Sequence, residues 1–147
     1  MTQKIVLLAQ TLKQKYNTNN VTELCRCLGI TLVRADLPKR ITGFYMEAKE
    51  KQAIVIGASV EAPFDTACIA HELGHALLHK NINTIFLSDS TNFVPGRYER
   101  EADLFAAALL IDEEVVRARG DSIEEISQIT GVPAYAVEQF CGASLRV

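Results

Sequence analysis

The sequence predicts a small α+β fold in which a three-stranded antiparallel sheet packs on one central helix and on further helices. Two observations carry this prediction: apolar residues recur with helical spacing near the start and after residue 63, and three β-prone runs lie between residues 30 and 56. With 147 residues and 48% hydrophobic content, the chain can bury one core without disulfides. We therefore expect a single domain over residues 1–147.

The first elements follow from apolar periodicity and turn residues. Helical spacing of apolar residues predicts a helix over residues 3–16, which the turn-forming cluster Asn17–Asn20 ends. A short second helix is expected over 21–28, with Gly29 as its left-handed stop.

Three strands should follow. Residues 30–34 are β-rich, and the runs 41–47 and 52–56 flank the charged tip 48–51, which predicts an antiparallel hairpin. Pro63 suits the first turn of the next helix.

That next helix carries the string His71-Glu72-Leu73-Gly74-His75. At about 100° of rotation per residue, His71 and His75 lie one turn apart on the same side, so both imidazoles can reach one metal ion. Glu72 projects beside them, where a carboxylate can take a proton from water. The pattern predicts a zinc-dependent hydrolase of peptide bonds, with manganese and iron as alternative metals.

The alternative is that these histidines are hydrogen-bonded core residues. Apolar residues with helical spacing lie on the opposite face, at Ile69, Leu73 and Leu77. Burying two imidazoles and a carboxylate together is costly unless something such as a metal compensates them. Gly74 indicates a close approach to the backbone at this point. Cys68, one turn before His71, is expected to line the site rather than bind metal.

A third metal ligand should come from the helical segment 98–110, where two glutamates compete. Glu99 shares a side with small residues and with Asp103, which is well placed to accept a hydrogen bond from a ligating histidine. Glu101 has Arg97 four residues earlier as a surface ion-pair partner. We favour Glu99, with Glu101 as the alternative, because a catalytic zinc needs three protein ligands and one open position.

These motifs together resemble the ImmA/IrrE family of metallo-endopeptidases. The resemblance rests on the string from His71 to His79, on Gly43-Phe44-Tyr45, and on Glu99-x-x-Ala102-Asp103-x-Phe105-Ala106-Ala107-x-Leu109-Leu110. It spans about residues 41–111, and departs from the family where Leu109-Leu110-Ile111-Asp112 replaces the more usual Leu-Leu-Met-Pro.

The resemblance implies a zincin-like domain, often encoded by phages and mobile elements, that cleaves or inactivates a helix-turn-helix repressor and so derepresses its genes. It also implies His71, His75 and Glu99 as zinc ligands and Glu72 as the catalytic base. The alternative is a regulatory module that contains zinc and binds a repressor without cutting it. A purely structural zinc usually has four protein ligands and needs no glutamate after the first histidine, which favours the peptidase.

Several roles around the site stay open. Tyr98, Tyr45 and His79 are candidates for stabilising the oxyanion. The run 52–56 could act as an edge strand that binds an extended peptide. The loop over residues 81–96 either covers a substrate groove or is a solvated connection.

The C-terminal residues 121–147 resemble a helix-turn-helix. Ser122 to Glu125 form a capping box, the helix should end near Gly131, and Pro133 begins another helix. Because acidic residues crowd this segment, we expect it to pack or to dock a partner rather than to bind DNA.

Charge and cysteine usage exclude other classes of protein. A net charge of −3 argues against nucleic acids and anionic membranes as partners. Four cysteines without C-x-x-C spacing indicate reduced thiols. No signal peptide opens the chain and no apolar run reaches the roughly 20 residues of a membrane span, so we expect a cytoplasmic protein.

Overall fold

A computed structural model describes residues 1–80 and 96–144. The predicted α+β class is confirmed. The helices and strands run, in chain order, α1 Thr2–Tyr16, α2 Val21–Cys27, β1 Ile30–Ala35, β2 Gly43–Ala48, β3 Lys51–Gly57, α3 Phe64–Leu78, α4 Gly96–Leu110, α5 Glu113–Arg119, α6 Ile123–Thr130 and α7 Ala134–Ser144.

The sheet has the strand order β1-β3-β2. The predicted hairpin is confirmed, because β2 and β3 pair antiparallel with Tyr45 opposite Ile54. The expectation of a wholly antiparallel sheet is wrong: β1 pairs parallel to β3, with Leu32 opposite Ile54, so the sheet is mixed. Residues 36–42 connect β1 to β2 across the position of β3. As a result, β1 and β2 lie on opposite sides of β3, and β1 runs in the same direction as β3.

This order also changes which strands lie at the edges. The run 52–56 was expected to offer an edge for a peptide, but β3 is the central strand and both of its edges are paired. Its consecutive buried residues from Ile54 to Gly57 fit that place, since a central strand is covered on both faces. The outer strands of this sheet are β1 and β2.

Turn residues end the elements where the sequence predicts. Asn17 and Gly29 adopt left-handed conformations after α1 and α2, with φ of 51° and 74°. Ser122 and Glu125 form the complete capping box of α6, and Gly131 closes that helix at a φ of 78°. These local signals are satisfied by hydrogen bonds within a few residues, which is why the sequence alone predicts them.

The core is built around α3, which packs against α4 on one side and against β2 and β3 on the other. Gly74 marks the point of closest approach of the two helices. A Cβ atom at that position would lie 3.2 Å from the Cα of Ala102 and 3.2 Å from the Phe105 ring. The expected close approach at Gly74 is therefore found, and it brings the polar faces of α3 and α4 into register.

The C-terminal helices pack onto the same core. Ala136, Val137 and Phe140 of α7 are buried, and this helix packs against α4. They belong to one hydrophobic cluster that begins at Ile5. Within residues 1–80 and 96–144, none of the helices combines the length and the apolar character needed to cross a bilayer. The loop that either covers a groove or is a solvated connection lies, up to residue 95, outside the described residues.

Candidate metal centre

The helix α3 brings His71 and His75 together on its face toward α4. Their rings meet edge to face with centroids 4.7 Å apart, and their Nε2 atoms are separated by 3.1 Å. His75 is fully buried and His71 is half-buried. The spacing of four residues produces this geometry, because successive turns stack side chains on the same side of a helix.

The helix α4 adds Glu99. Its Oε2 lies 3.0 Å from the His71 Nε2, and its Oε1 lies 3.0 Å from the His75 Nε2. Glu101, the alternative in the sequence, points elsewhere: its Oε1 contacts the His79 Nε2 at 2.9 Å, and its Oε2 lies 3.8 Å from Arg97. Of the two glutamates, only Glu99 is brought to both ring nitrogens.

These three side chains fit a small divalent cation. Tetrahedral coordination with bonds of 2.0–2.1 Å separates ligand atoms by roughly 3.3 Å, close to the separations between these nitrogen and carboxylate atoms. Two imidazoles and one carboxylate are also the donor set typical of catalytic zinc. Glu72 lies near the same point, since one of its oxygens is within 4.8 Å of the two imidazole donors. Glu99 has an oxygen 3.0 Å from each Nε2.

Glu72 is buried, with 6% of its surface exposed. The backbone amide of Tyr45, on β2, hydrogen-bonds to its carboxylate. Its Oε2 has no hydrogen-bond partner within the described part of the chain. Burial raises the pKa of Glu72 to about 7, with His71 opposing this rise and Glu99 adding to it. A carboxylate with this pKa can both accept and return a proton near neutral pH.

Without a cation, burial and mutual hydrogen bonds shift the pKa values of the three candidate ligands. Burial lowers the pKa of His71, but hydrogen bonds to Asp103 and Glu99 outweigh it and raise the pKa to about 10. Burial raises the pKa of Glu99, yet its contacts with His71 and His75 hold that pKa far below its usual range. Burial lowers the pKa of His75. A bound cation would replace the proton on His71 as the positive charge beside Glu99.

Asp103 accepts a hydrogen bond from the His71 Nδ1 at 2.7 Å, as the sequence predicted. The structure adds a residue that sequence reasoning missed. Tyr135, at the start of α7, donates its hydroxyl to the other oxygen of Asp103. Only the fold brings this tyrosine to the site, and no spacing or motif in the sequence indicates the contact.

Two of the three candidates for stabilising an oxyanion, Tyr45 and His79, are engaged elsewhere. The Tyr45 hydroxyl donates to Glu47 at 3.0 Å and accepts from Gln52 at 2.8 Å. His79 is buried behind His75, and the Tyr98 ring meets the His79 ring edge to face at 4.7 Å. None of these contacts directs a donor at the His71 and His75 Nε2 atoms.

A groove of about 320 Å³ opens from His71 and Glu99. Beyond the polar end its walls are mainly apolar and small, formed by Val60, Phe64, Ala67, Cys68, Ala106, Val132 and Pro133. Cys68 thus lines the groove as expected, and its Sγ contacts the Thr42 hydroxyl at 3.7 Å. Phe64 is 61% exposed at the groove, so a large apolar surface faces solvent beside the candidate metal ligands.

An H-E-x-x-H helix packed on a small sheet, with a glutamate from the following helix, defines the class of zincin-like metallopeptidases. Comparison with known proteins gives the family. The chain belongs to the peptidase M78 family of ImmA/IrrE metallopeptidases, because the model of the IrrE N-terminal-like domain matches residues 25–141.

Two relatives are similar to most of this chain. Immunity region protein 2 of Bacillus phage phi105, itself uncharacterised, is 37% identical over 128 residues, which cover 85% of this chain and 81% of the relative. Metallopeptidase ImmA of Bacillus subtilis strain 168 is 28% identical over 134 residues, covering 88% of this chain and 79% of the relative.

Proposed function

We propose that the chain is a zinc-dependent metallo-endopeptidase. His71, His75 and Glu99 hold the zinc, and Glu72 is the catalytic base. One observation carries the proposal: two ring nitrogens and a carboxylate converge to 3.0–3.1 Å beside the buried Glu72. Burying these polar groups together is costly unless something such as a cation compensates them.

Zinc in such a site would polarise a peptide carbonyl and lower the pKa of water toward about 7. Glu72 accepts the proton of the attacking water and passes it to the leaving amine. The Glu72 Oε2, which has no hydrogen-bond partner among the described residues, is available for this transfer, and the Tyr45 amide favours the charged carboxylate.

The substrate would bind along β2 rather than β3. Among the described strands, β2 pairs only with β3, and the contact of the Tyr45 amide with Glu72 places the other edge of β2 toward Glu72. An extended peptide added to this edge would pass the candidate metal ligands, since β2 packs directly on α3. The apolar groove beside His71 and Glu99 would then receive one apolar side chain of the peptide.

We further propose that the substrate is a helix-turn-helix repressor, whose loss derepresses phage or mobile-element genes in the cytoplasm. The name of the phage phi105 relative, which places it in an immunity region, supports this target. Residues 1–147 would act as one catalytic domain, with the helix-turn-helix-like region 121–147 completing the site through Tyr135. Neither a membrane nor a nucleic acid is needed for this role.

The test incubates the purified protein with the repressor encoded beside it and follows cleavage by mass spectrometry. Glu72→Gln should keep its zinc and lose cleavage, because the amide cannot take a proton. Glu124→Gln, a matched change at an exposed position of α6, should cleave normally. A repressor that is inactivated uncut by both the wild type and Glu72→Gln would instead support the alternative, a zinc-containing module that binds without cleaving.

A further inference from the structure

The buried His79 contacts the half-buried Glu101 directly behind the candidate metal ligand His75. The His79 Nδ1 lies 2.8 Å from the His75 Nδ1, and the His79 Nε2 lies 2.9 Å from the Glu101 Oε1. His79 is 3% exposed and the Glu101 side chain is 13% exposed. Neither residue contacts the His71 or His75 Nε2 atoms, so the proposed metal site leaves this pair without a role.

The positions of the protons along the hydrogen-bonded series His75–His79–Glu101 are constrained. If the His75 Nε2 binds a cation, the single proton of that neutral ring must be on Nδ1. The facing His79 Nδ1 must then accept this proton, so the proton of a neutral His79 lies on its Nε2. That N–H donates to Glu101, whose carboxylate can only accept. The direction of donation in each hydrogen bond therefore determines the direction in the next.

The geometry points to a positioning role: the His79–Glu101 pair fixes the tautomer and orientation of His75 and thereby sets the affinity of the metal centre. The inference rests on the proposed function, since it takes His75 as a metal ligand. It also explains why α4 carries two half-buried acids in addition to the more exposed Glu99. Asp103 holds the far nitrogen of His71 directly, whereas Glu101 holds that of His75 through His79.

Zinc affinity, measured by competition with a chromophoric chelator, tests the role of His79. His79→Leu removes the acceptor and should weaken zinc binding about 10- to 100-fold, the usual effect of losing such a partner. His79→Asn places an oxygen near the position of Nδ1 and should stay within about threefold of wild type. A role in packing alone predicts the reverse order, because a buried leucine is tolerated better than a buried amide. Binding by His79→Leu equal to or tighter than that by His79→Asn overturns the inference.

The same assay tests Glu101. Glu101→Gln leaves an uncharged acceptor, so the hydrogen bond from His79 is weaker and zinc affinity should fall several-fold. Glu124→Gln removes an equal charge from the exposed surface and serves as the control. Equal affinity of Glu101→Gln and the control rejects the part assigned to Glu101.

Imidazole ¹⁵N NMR of the zinc-loaded wild type needs no variant. We expect the proton of His75 on Nδ1 and that of His79 on Nε2, and a proton on Nδ1 of His79 overturns the inference. Failure of the two proposals can be told apart. A wild type that does not bind zinc contradicts the proposed function, whereas a wild type that binds zinc as tightly as His79→Leu contradicts the positioning role alone.

Discussion

Tyr135 and Asp103 are joined by a hydrogen bond across 32 residues of sequence, from the hydroxyl of the tyrosine to a carboxylate oxygen of the aspartate. The other oxygen of Asp103 accepts from the His71 Nδ1 at 2.7 Å. The C-terminal helix α7 is therefore connected to the candidate metal centre through one carboxylate. At the position where a DNA-reading helix would present its first residues, the partly exposed Tyr135 instead directs its hydroxyl to the partner of a candidate metal ligand.

This connection predicts graded losses of zinc affinity. Asp103→Asn should weaken zinc binding about 10- to 100-fold, because the partner of His71 loses its charge. Tyr135→Phe acts one step further away, and its effect should be smaller. Because both changes act through His71, their effects should not add in the double variant. Chelator competition measures all three affinities, and full additivity would contradict a shared path.

Loss of a ligand should remove the metal and the stability it provides. His75→Ala should lower the zinc content of the purified protein from about one equivalent to near zero, since two protein ligands hold zinc weakly. Zinc at 100 times its Kd stabilises a folded protein by about 2.7 kcal/mol, and the variant should lose this increment. Plasma emission spectrometry and thermal unfolding measure the two effects. Cys68→Ala, which alters the groove wall alone, should retain its zinc.

Gly74 should resist even the smallest side chain. A Cβ would meet the Ala102 Cα at 3.2 Å and the Phe105 Cβ at 3.3 Å, and backbone at the helix crossing cannot retreat easily. Overpacking typically costs about 1–3 kcal/mol, which exceeds the gain of up to about 1 kcal/mol that alanine brings to a helix. We expect Gly74→Ala to lower the free energy of unfolding by about 1 kcal/mol net.

Gly142 provides the matched control for this substitution. It also lies within a helix, α7, but a Cβ there would meet none of the described residues within 4 Å. Gly142→Ala should therefore stabilise the protein by up to about 1 kcal/mol. Urea unfolding of both variants measures the difference, and a stabilised Gly74→Ala would show that the helices can separate at no cost.

Glu72 should make the stability of the metal-free protein depend on pH. Burial raises its folded pKa from 4.5 to about 7, so the folded state holds the proton more tightly than the unfolded chain does. The stabilisation by this proton is complete below about pH 4.5 and is lost as the pH rises through 7. Glu72→Gln cannot ionise and should escape this loss.

The measurement is urea unfolding in the presence of a chelator at several pH values. Relative to wild type, Glu72→Gln should gain up to about 3 kcal/mol between pH 5 and pH 8. The exposed substitution Glu124→Gln should give a profile parallel to that of wild type. Parallel profiles for Glu72→Gln and wild type would mean that the folded pKa of Glu72 is not raised.

The sequence by itself determined the local features of this protein. The H-E-x-x-H spacing, the hairpin over β2 and β3, the capping box at Ser122 and the left-handed turn at Gly131 all depend on residues within a few positions of one another. The sequence also identified Asp103 as a hydrogen-bond acceptor for a ligating histidine, because Asp103 lies one turn from Glu99 on the same face of α4. Rotation per residue and hydrogen bonding within a turn suffice for these predictions.

The tertiary structure alone decided which distant elements meet. The parallel pairing of β1 with β3 and the central place of β3 depend on how the chain crosses the sheet, which no local pattern records. The contact of Glu101 with His79 likewise follows from the approach of α3 and α4 at Gly74. The Tyr135 hydroxyl reaches Asp103 because α7 packs on α4. These contacts join residues far apart in the chain, so only the packing of the whole core specifies them.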